Sequence, residues 1–267
     1  MSEKDEIARE VLPFLMDLFP GVPVSTFITI FKYFSIAVFS FLGIFVLSYV
    51  VVRFYIRHKS ERYIKNLDAL NSIEKLDADD ARKKMLRDLI LQCVILGAKI
   101  DFHTNRKNNS KSVSQIIWEM CCDLGLDKET SILYTCAAMV YDVGFLDVNA
   151  VYFHTEVLSA KERKLLRAHI MNSYEHLLFV PEDIRSVFFD AAMFHHENYN
   201  GSGYPEGLHD EEIPKIAQMI RVSETFVSLT SKRSYRKVFQ RDEALKILNE
   251  SSYWYAESYL KEIQKIV

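Results

Sequence analysis

An all-helical domain behind a single membrane-spanning helix is the fold class the sequence predicts, and three observations carry the prediction. Tyr33 to Val52, "YFSIAVFSFLGIFVLSYVVV", is a run of 20 residues without a charge. From Ala81 onward, apolar residues recur at the three- and four-residue spacing of a helix face. No stretch alternates convincingly in the manner of a half-buried strand.

The chain has 267 residues, 49% of them apolar, enough for one large or two modest domains with a sizeable core. Its net charge of −3 gives no global argument for a nucleic-acid partner. Cys93, Cys121, Cys122 and Cys136 form no CxxC pair and sit among apolar residues, so the expectation is buried free thiols in a reducing compartment.

Residues 1–32 are read as a short tail outside the cytoplasm. Within it "VLPFLMDLFPGVPV", residues 11–24, suits a membrane surface, and its three prolines argue against a long straight helix. Residues 33–52 follow. At about 1.5 Å per residue they reach about 30 Å, the thickness of a bilayer core. Tyr33 and Tyr49 lie near the ends, where interfacial aromatics gather. A buried core helix would not be apolar on every face. A cleaved signal peptide would be shorter, start earlier and follow basic residues.

The flanks set the orientation. Glu3, Asp5, Glu6, Glu10 and Asp17 outnumber Lys4, Arg9 and Lys32 before the span, whereas Arg53, Arg57, Lys59, Arg62 and Lys65 face only Glu61 after it. Positive charge prefers the cytoplasmic side, which puts residues 53–267 there in a single-pass arrangement. Residues 53–80 are charged and helix-friendly and read as a stalk or linker. A stalk of this kind often accompanies dimers, so a homodimer is the candidate assembly.

The domain then occupies residues 81–267. Leu86, Leu89, Ile90, Cys93 and Leu96 share one helix face. Val113, Ile116, Ile117, Met120 and Leu124 form a second stripe ended by Gly125. Leu133, Cys136, Ala137 and Val140 form a third that reaches Gly144. Ser159 and Glu162 read as a capping box opening a helix that runs past His169. Pro181 separates it from a helix ending near His195, and Ile216, Met219, Ile220 and Phe226 mark one more. Between these two lies a long structured loop, residues 197–214.

Of eight histidines, His58 is juxtamembrane, and His103, His154, His176 and His209 sit among polar residues where surface placement is the default. His169, His195 and His196 differ: the first follows a capped helix start, and the other two stand at a helix end just before the loop. With Asp142 in "YDVGF" and Glu224 in "VSETF" they could converge from several helices on one metal. Carboxylate oxygens with imidazole nitrogens suit iron, manganese or zinc.

The stretch "HHENYNGSGYPEGLHDEEIPKIAQMIRVSETFVSLTSKRSYRK" resembles the signature half of the HD-GYP family, including the naming tripeptide Gly203-Tyr204-Pro205. That family belongs to the bacterial HD-domain metal phosphohydrolases and hydrolyses cyclic di-GMP. The resemblance extends upstream through His169 and Asp142 and covers residues 81–267. It implies an HD-type helical bundle with a GYP loop, and a place at the bacterial inner membrane for this chain.

Carried over by motif, the resemblance assigns metal ligation to Asp142, His169, His195, His196 and Glu224, the last standing where the family has aspartate. Asp142 would be the catalytic, metal-bridging carboxylate if the domain is active. Tyr204 would lie beside the nucleotide and Arg233 and Arg236 beside its phosphates. The departures are Tyr141 for the histidine of the HD pair, Asn109 for the first histidine ligand, Asn105 for an acid sometimes found four residues earlier, and Phe145 for a lysine near the leaving group.

These replacements change the chemistry. An amide is a poor ligand beside imidazole, and a phenol titrating at about 10 binds metal weakly near neutral pH. Phenylalanine removes a cation that could face developing negative charge. The expectation is one divalent ion rather than two, and a degenerate domain with little or no hydrolase activity. It would serve as a membrane-anchored binding or scaffold module for cyclic di-GMP and an unidentified protein partner. An active metal-dependent phosphodiesterase and a purely structural component of a membrane assembly are the alternatives.

Overall fold

The computed structural model describes residues 24–65, 67–155, 157–231 and 237–267. The tail expected to lie along the membrane surface and the phosphate-facing Arg233 and Arg236 fall outside the described residues. The chain forms two compact units, residues 1–55 and 56–267.

The first unit carries most of helix α1, Val24–Lys65. Its segment Ile28–Phe54 is long and apolar enough to cross a membrane, at 27 residues or about 40 Å. Phe31, Phe39, Phe41 and Phe45 are all exposed along it, so no protein core covers this helix.

The second unit contains no strand among the described residues. Its longer helices are α2 (Asp68–Ser72), α3 (Asp80–His103), α4 (Asn109–Asp123), α5 (Lys128–Val140), α6 (Ala160–Arg167), α7 (His169–His176), α8 (Glu182–Phe194), α9 (Lys215–Thr230), α10 (Arg241–Glu250) and α11 (Glu257–Ile266). Asp79 and Asp127 cap α3 and α5, each accepting from the backbone N–H three residues on. The capping box at the start of α6 forms as the sequence predicts, with Ser159 N–H donating to Glu162 Oε2 at 2.7 Å.

Helix α5 is the centre of the domain. It packs against α3, α4 and α8, and apart from half-buried Tyr134 every residue from Ser131 to Val140 is buried. Small residues, Ala137 and Ala138 among them, let neighbours approach on all sides. The hydroxyls of Ser131 and Thr135 are satisfied by the carbonyls of Asp127 and Ser131, four residues back. A helix enclosed this way has a fixed end, and that end delivers Tyr141 and Asp142.

Several expectations need correction. Leu67, Ala69 and Ile73 are buried in the domain core, so the core reaches back into the stretch read as a linker; the charges around them obscured a short apolar set. The helix expected to pass through His169 breaks at Ala168, and α7 starts afresh at His169. Leu124 is exposed because α4 ends before it, and Cys122 is exposed where a buried thiol was expected. Residues 241–266 supply two further helices that the apolar pattern alone did not mark.

Candidate functional site

Asp142 follows Tyr141, the residue that closes α5, and heads a one-turn helix, Val143–Asp147, that packs on α7. The packing is close enough to require glycine. A Cβ on Gly144 would lie 1.8 Å from the carbonyl oxygen of His169. This contact sets His169 beside Asp142. His195 arrives from the C-terminus of α8.

Three acceptor atoms meet there. The Nε2 atoms of His169 and His195 are 3.4 Å apart, and Asp142 Oδ1 is 3.5 Å from the first and 3.6 Å from the second. Each ring is oriented from behind. His169 Nδ1 lies 2.7 Å from the Leu166 carbonyl, and His195 Nδ1 lies 3.0 Å from that of Ala191. Carbonyls only accept, so both Nδ1 atoms carry the proton and both Nε2 atoms present lone pairs. Asp142 Oδ1 is buried without a hydrogen-bond donor.

Three lone pairs facing one another in a buried space, with no proton between them, call for a cation. The spacing suits one: ligands bound at about 2.1 Å in tetrahedral geometry are about 3.4 Å apart. Nδ1–H bonded to a carbonyl is the usual support for a metal-ligating imidazole. His196 adds a third nitrogen, within 4.8 Å of the other imidazole nitrogens. The residues present therefore fit a divalent ion.

The other face of Asp142 is built differently. Arg106 donates from Nη1 to Asp142 Oδ2 at 2.6 Å, and the same nitrogen is 3.9 Å from Glu224 Oε1. The guanidinium lies over the Phe145 ring, 4.6 Å from its centroid, and Phe145 stacks on His169 at 3.9 Å. Asn109 Nδ2 donates to the Tyr141 hydroxyl at 2.9 Å, so these two residues bond to each other. Glu224 therefore faces Arg106, on the side of Asp142 away from the two imidazole contacts.

Arg106 is the residue the sequence reading missed. It sits in the turn between α3 and α4, "TNRKNNS", flanked by Asn105 and Asn108, both in the left-handed region at φ 53° and 60°. Asparagine tolerates that region better than other side-chain-bearing residues. An arginine inside an asparagine-rich turn, three residues before the departing Asn109, was the available signal.

The charges settle accordingly. Burial pushes the Asp142 carboxyl up, but the Arg106 guanidinium outweighs it and holds it well below the usual carboxylate range. Burial lowers His169 to about 4 despite the attraction of Asp142, and lowers His196 well below its ordinary value. Burial, reinforced by Asp142 and Glu224, keeps the Tyr141 phenol protonated. It presents no phenolate to a metal.

The glycine loop folds back on the pair of histidines. Tyr204 N–H donates to the His196 carbonyl at 3.2 Å, and its ring stacks on His196 at 4.7 Å. Glu197, fully buried, accepts from the N–H groups of Glu206 and Gly207 at 2.7 and 3.0 Å and so ties the loop's far end to its start. Arg221 Nε bonds Asn198 Oδ1 at 2.9 Å. A Cβ on Gly203 would fall 2.3–2.6 Å from backbone atoms of His196, Glu197 and Asn198, so only glycine permits the return. Arg167 lies over the outer part of this arrangement, 5.0 Å from the Tyr204 ring centroid. Glu197, Arg167 and Arg221 were not singled out from the sequence.

The family model described as HD domain matches residues 97–258. The "Cyclic di-GMP phosphodiesterase response regulator RpfG" of Xanthomonas campestris is 33% identical over 126 residues, 47% of this chain and 33% of that protein. The "3'3'-cGAMP-specific phosphodiesterase 3" of Vibrio cholerae is 27% identical over 170 residues, 62% of this chain and 36% of that protein. The chain thus spans about a third of the length of these curated relatives. A solved structure, "Bd1817, a HDG"Y"P protein from Bdellovibrio bacteriovorus", aligns with a TM-score of 0.49 at 15% identity, covering 79% of this chain and 70% of that one.

Proposed function

The chain belongs to the HD domain family and is of the HD-GYP type, and from that premise we propose that it is a membrane-anchored cyclic-dinucleotide receptor that hydrolyses its ligand little or not at all. The ligand is cyclic di-GMP or a close cyclic dinucleotide, the substrates printed in the names of its relatives. One divalent ion, iron, manganese or zinc, is held by Asp142, His169 and His195, with His196 nearest as a further nitrogen. Such an ion supplies Lewis acidity toward a phosphoryl oxygen.

The observation that carries the reading is the asymmetry around Asp142. One oxygen joins two lone-pair imidazoles, while the other is bonded to an arginine. Tyr204, stacked on His196 and faced by Arg167, offers a ring and a cation to a base and a phosphate of the nucleotide. Arg233 and Arg236 are further phosphate partners in this reading. Helix α1 anchors the domain to the inner membrane with residues 53–267 in the cytoplasm, supported by the charge asymmetry of its flanks. The bound state is passed to a protein partner, with a homodimer formed through the stretch after the span.

Calorimetry with cyclic di-GMP on the full chain in detergent, alongside a turnover assay with iron, manganese and zinc each supplied anaerobically, tests this. Saturable heat with no linear or mononucleotide product is expected. Brisk metal-dependent cleavage abolished by His195→Ala would instead establish the active phosphodiesterase, which the intact three-atom cluster favours. No heat at high micromolar ligand would leave a structural scaffold.

A further inference from the structure

Arg106 occupies a position that the described site does not explain by packing alone. Its guanidinium is nearly buried, with 12% of the side chain exposed, and it touches the two carboxylates of the centre, Asp142 at 2.6 Å and Glu224 at 3.9 Å. A cation already lies between those two carboxylates, the acidic groups on which a second metal ion would depend. The residues that stand where such an ion's ligands would be, Asn109 and Tyr141, are bonded to each other, and the Phe145 ring lies under the guanidinium. Two departures from a ligand set and one lost lysine thus lie around one arginine.

We infer that Arg106 is a built-in cation filling the place of the second metal, so that the centre takes one ion per chain. The inference deepens the proposed function and rests on its reading of Asp142, His169 and His195 as a cation site. The electrostatics are simple. Two carboxylates face one guanidinium, which leaves a single net negative charge, and one divalent ion at the imidazole side already more than offsets it. A second divalent ion would have to displace the guanidinium or sit against it, like charge on like charge, in a space poor in water.

The substitution separates two duties of a metal. A guanidinium supplies permanent positive charge and N–H donors in a planar fork suited to a phosphate oxygen. It offers no coordination position for water and does not lose its proton near neutral pH. Arg106 can therefore help hold a phosphodiester without helping to make the nucleophile that cleaves it. The turn is shaped for this: the left-handed Asn105 and Asn108 bracket the arginine, and the Arg106 N–H donates to the Asp101 carbonyl at 2.9 Å, fixing its backbone.

The test counts ions in four forms of the full chain after saturation with manganese or zinc and desalting, by elemental analysis per mole of protein. The wild type is expected to hold one. The double variant Asn109→His, Tyr141→His restores imidazole ligands but keeps Arg106, and is expected to stay at one. Adding Arg106→Gln to it is expected to raise the count to two, while His195→Ala lowers it to zero. Two ions in the double variant overturn the inference and leave the single-ion site standing, as does one ion in a triple variant whose helical circular dichroism is native. Two ions in the wild type overturn it outright. No ion in the wild type removes the cation-site reading itself, and the inference with it. The double variant retains the Arg106–Asp142 bond, so it decides the question even where the triple variant does not fold.

Discussion

The Nε2 atoms of His169 and His195 face each other at 3.4 Å with both rings' N–H groups turned away to backbone carbonyls. Neither nitrogen has a proton to offer the other. The pair is arranged for a third party, and its behaviour without one is the most direct thing to measure.

Acid should destabilise the metal-free protein. His169 is held near 4 by burial, against about 6.5 in the unfolded chain. Above pH 6.5 neither state binds the proton and the full stability is present. Between 6.5 and 4 the unfolded state takes it up first, so stability falls with falling pH, by up to about 3 kcal/mol from this group. His196 is shifted in the same direction. Urea unfolding at a series of pH values should show the loss, and saturating zinc should raise the midpoint most at neutral pH and progressively less on acidification. A flat profile from pH 7 to 4.5 would contradict the assigned protonation.

Asp142→Asn should cost more than the loss of a ligand. It strands a buried guanidinium, a kind of break worth about 3–5 kcal/mol. Denaturant midpoints of the metal-free proteins would show it, and metal content should fall to zero. A metal-free stability equal to that of the wild type would mean that the Arg106 pair is not formed in solution.

Gly144→Ala should abolish metal uptake without touching a ligand. The new methyl meets the His169 backbone at 1.8 Å, and backbone cannot swing aside as a side chain can. The one-turn helix and α7 must part, at a cost on the order of 1–3 kcal/mol. Zinc titration followed by calorimetry checks it. Wild-type affinity would show that the contact is looser than described.

Glu197→Ala should loosen the glycine loop at its far end. Its carboxylate holds the N–H groups of Glu206 and Gly207, and charged acceptors of that kind are worth about 1.5–3 kcal/mol. Hydrogen exchange at those two amides should quicken, while that of α5 remains unchanged. Equal acceleration throughout would point to global rather than local opening.

The orientation has a native reporter. Cys122 is an exposed free thiol, whereas Cys93, Cys121 and Cys136 are buried. A membrane-impermeant maleimide should fail to label it in intact spheroplasts and succeed after lysis. Labelling of intact spheroplasts would reverse the predicted topology.

The sequence carried the helices whose faces are strongly apolar, and the capping box at Ser159, because both are local patterns. It carried Asp142, His169 and His195 through motif position. It did not carry Arg106, because the motif names residues at fixed places and the arginine enters from a neighbouring turn. Nor did it carry Leu67 and Ile73, since apolar residues interleaved with charges look like a linker until the surface that covers them is known. The break at Ala168 also escaped: both flanks are helix-forming, and only the seating of His169 under Gly144 demands the restart.

A chelator strips zinc or manganese from a protein; it cannot strip an arginine. With Arg106 bonded to Asp142, part of the positive charge at this centre is covalently part of the chain. Starvation for transition metals would empty the imidazole side and leave the guanidinium side as it was, so the seating of Asp142 has a floor that nutrient supply does not set.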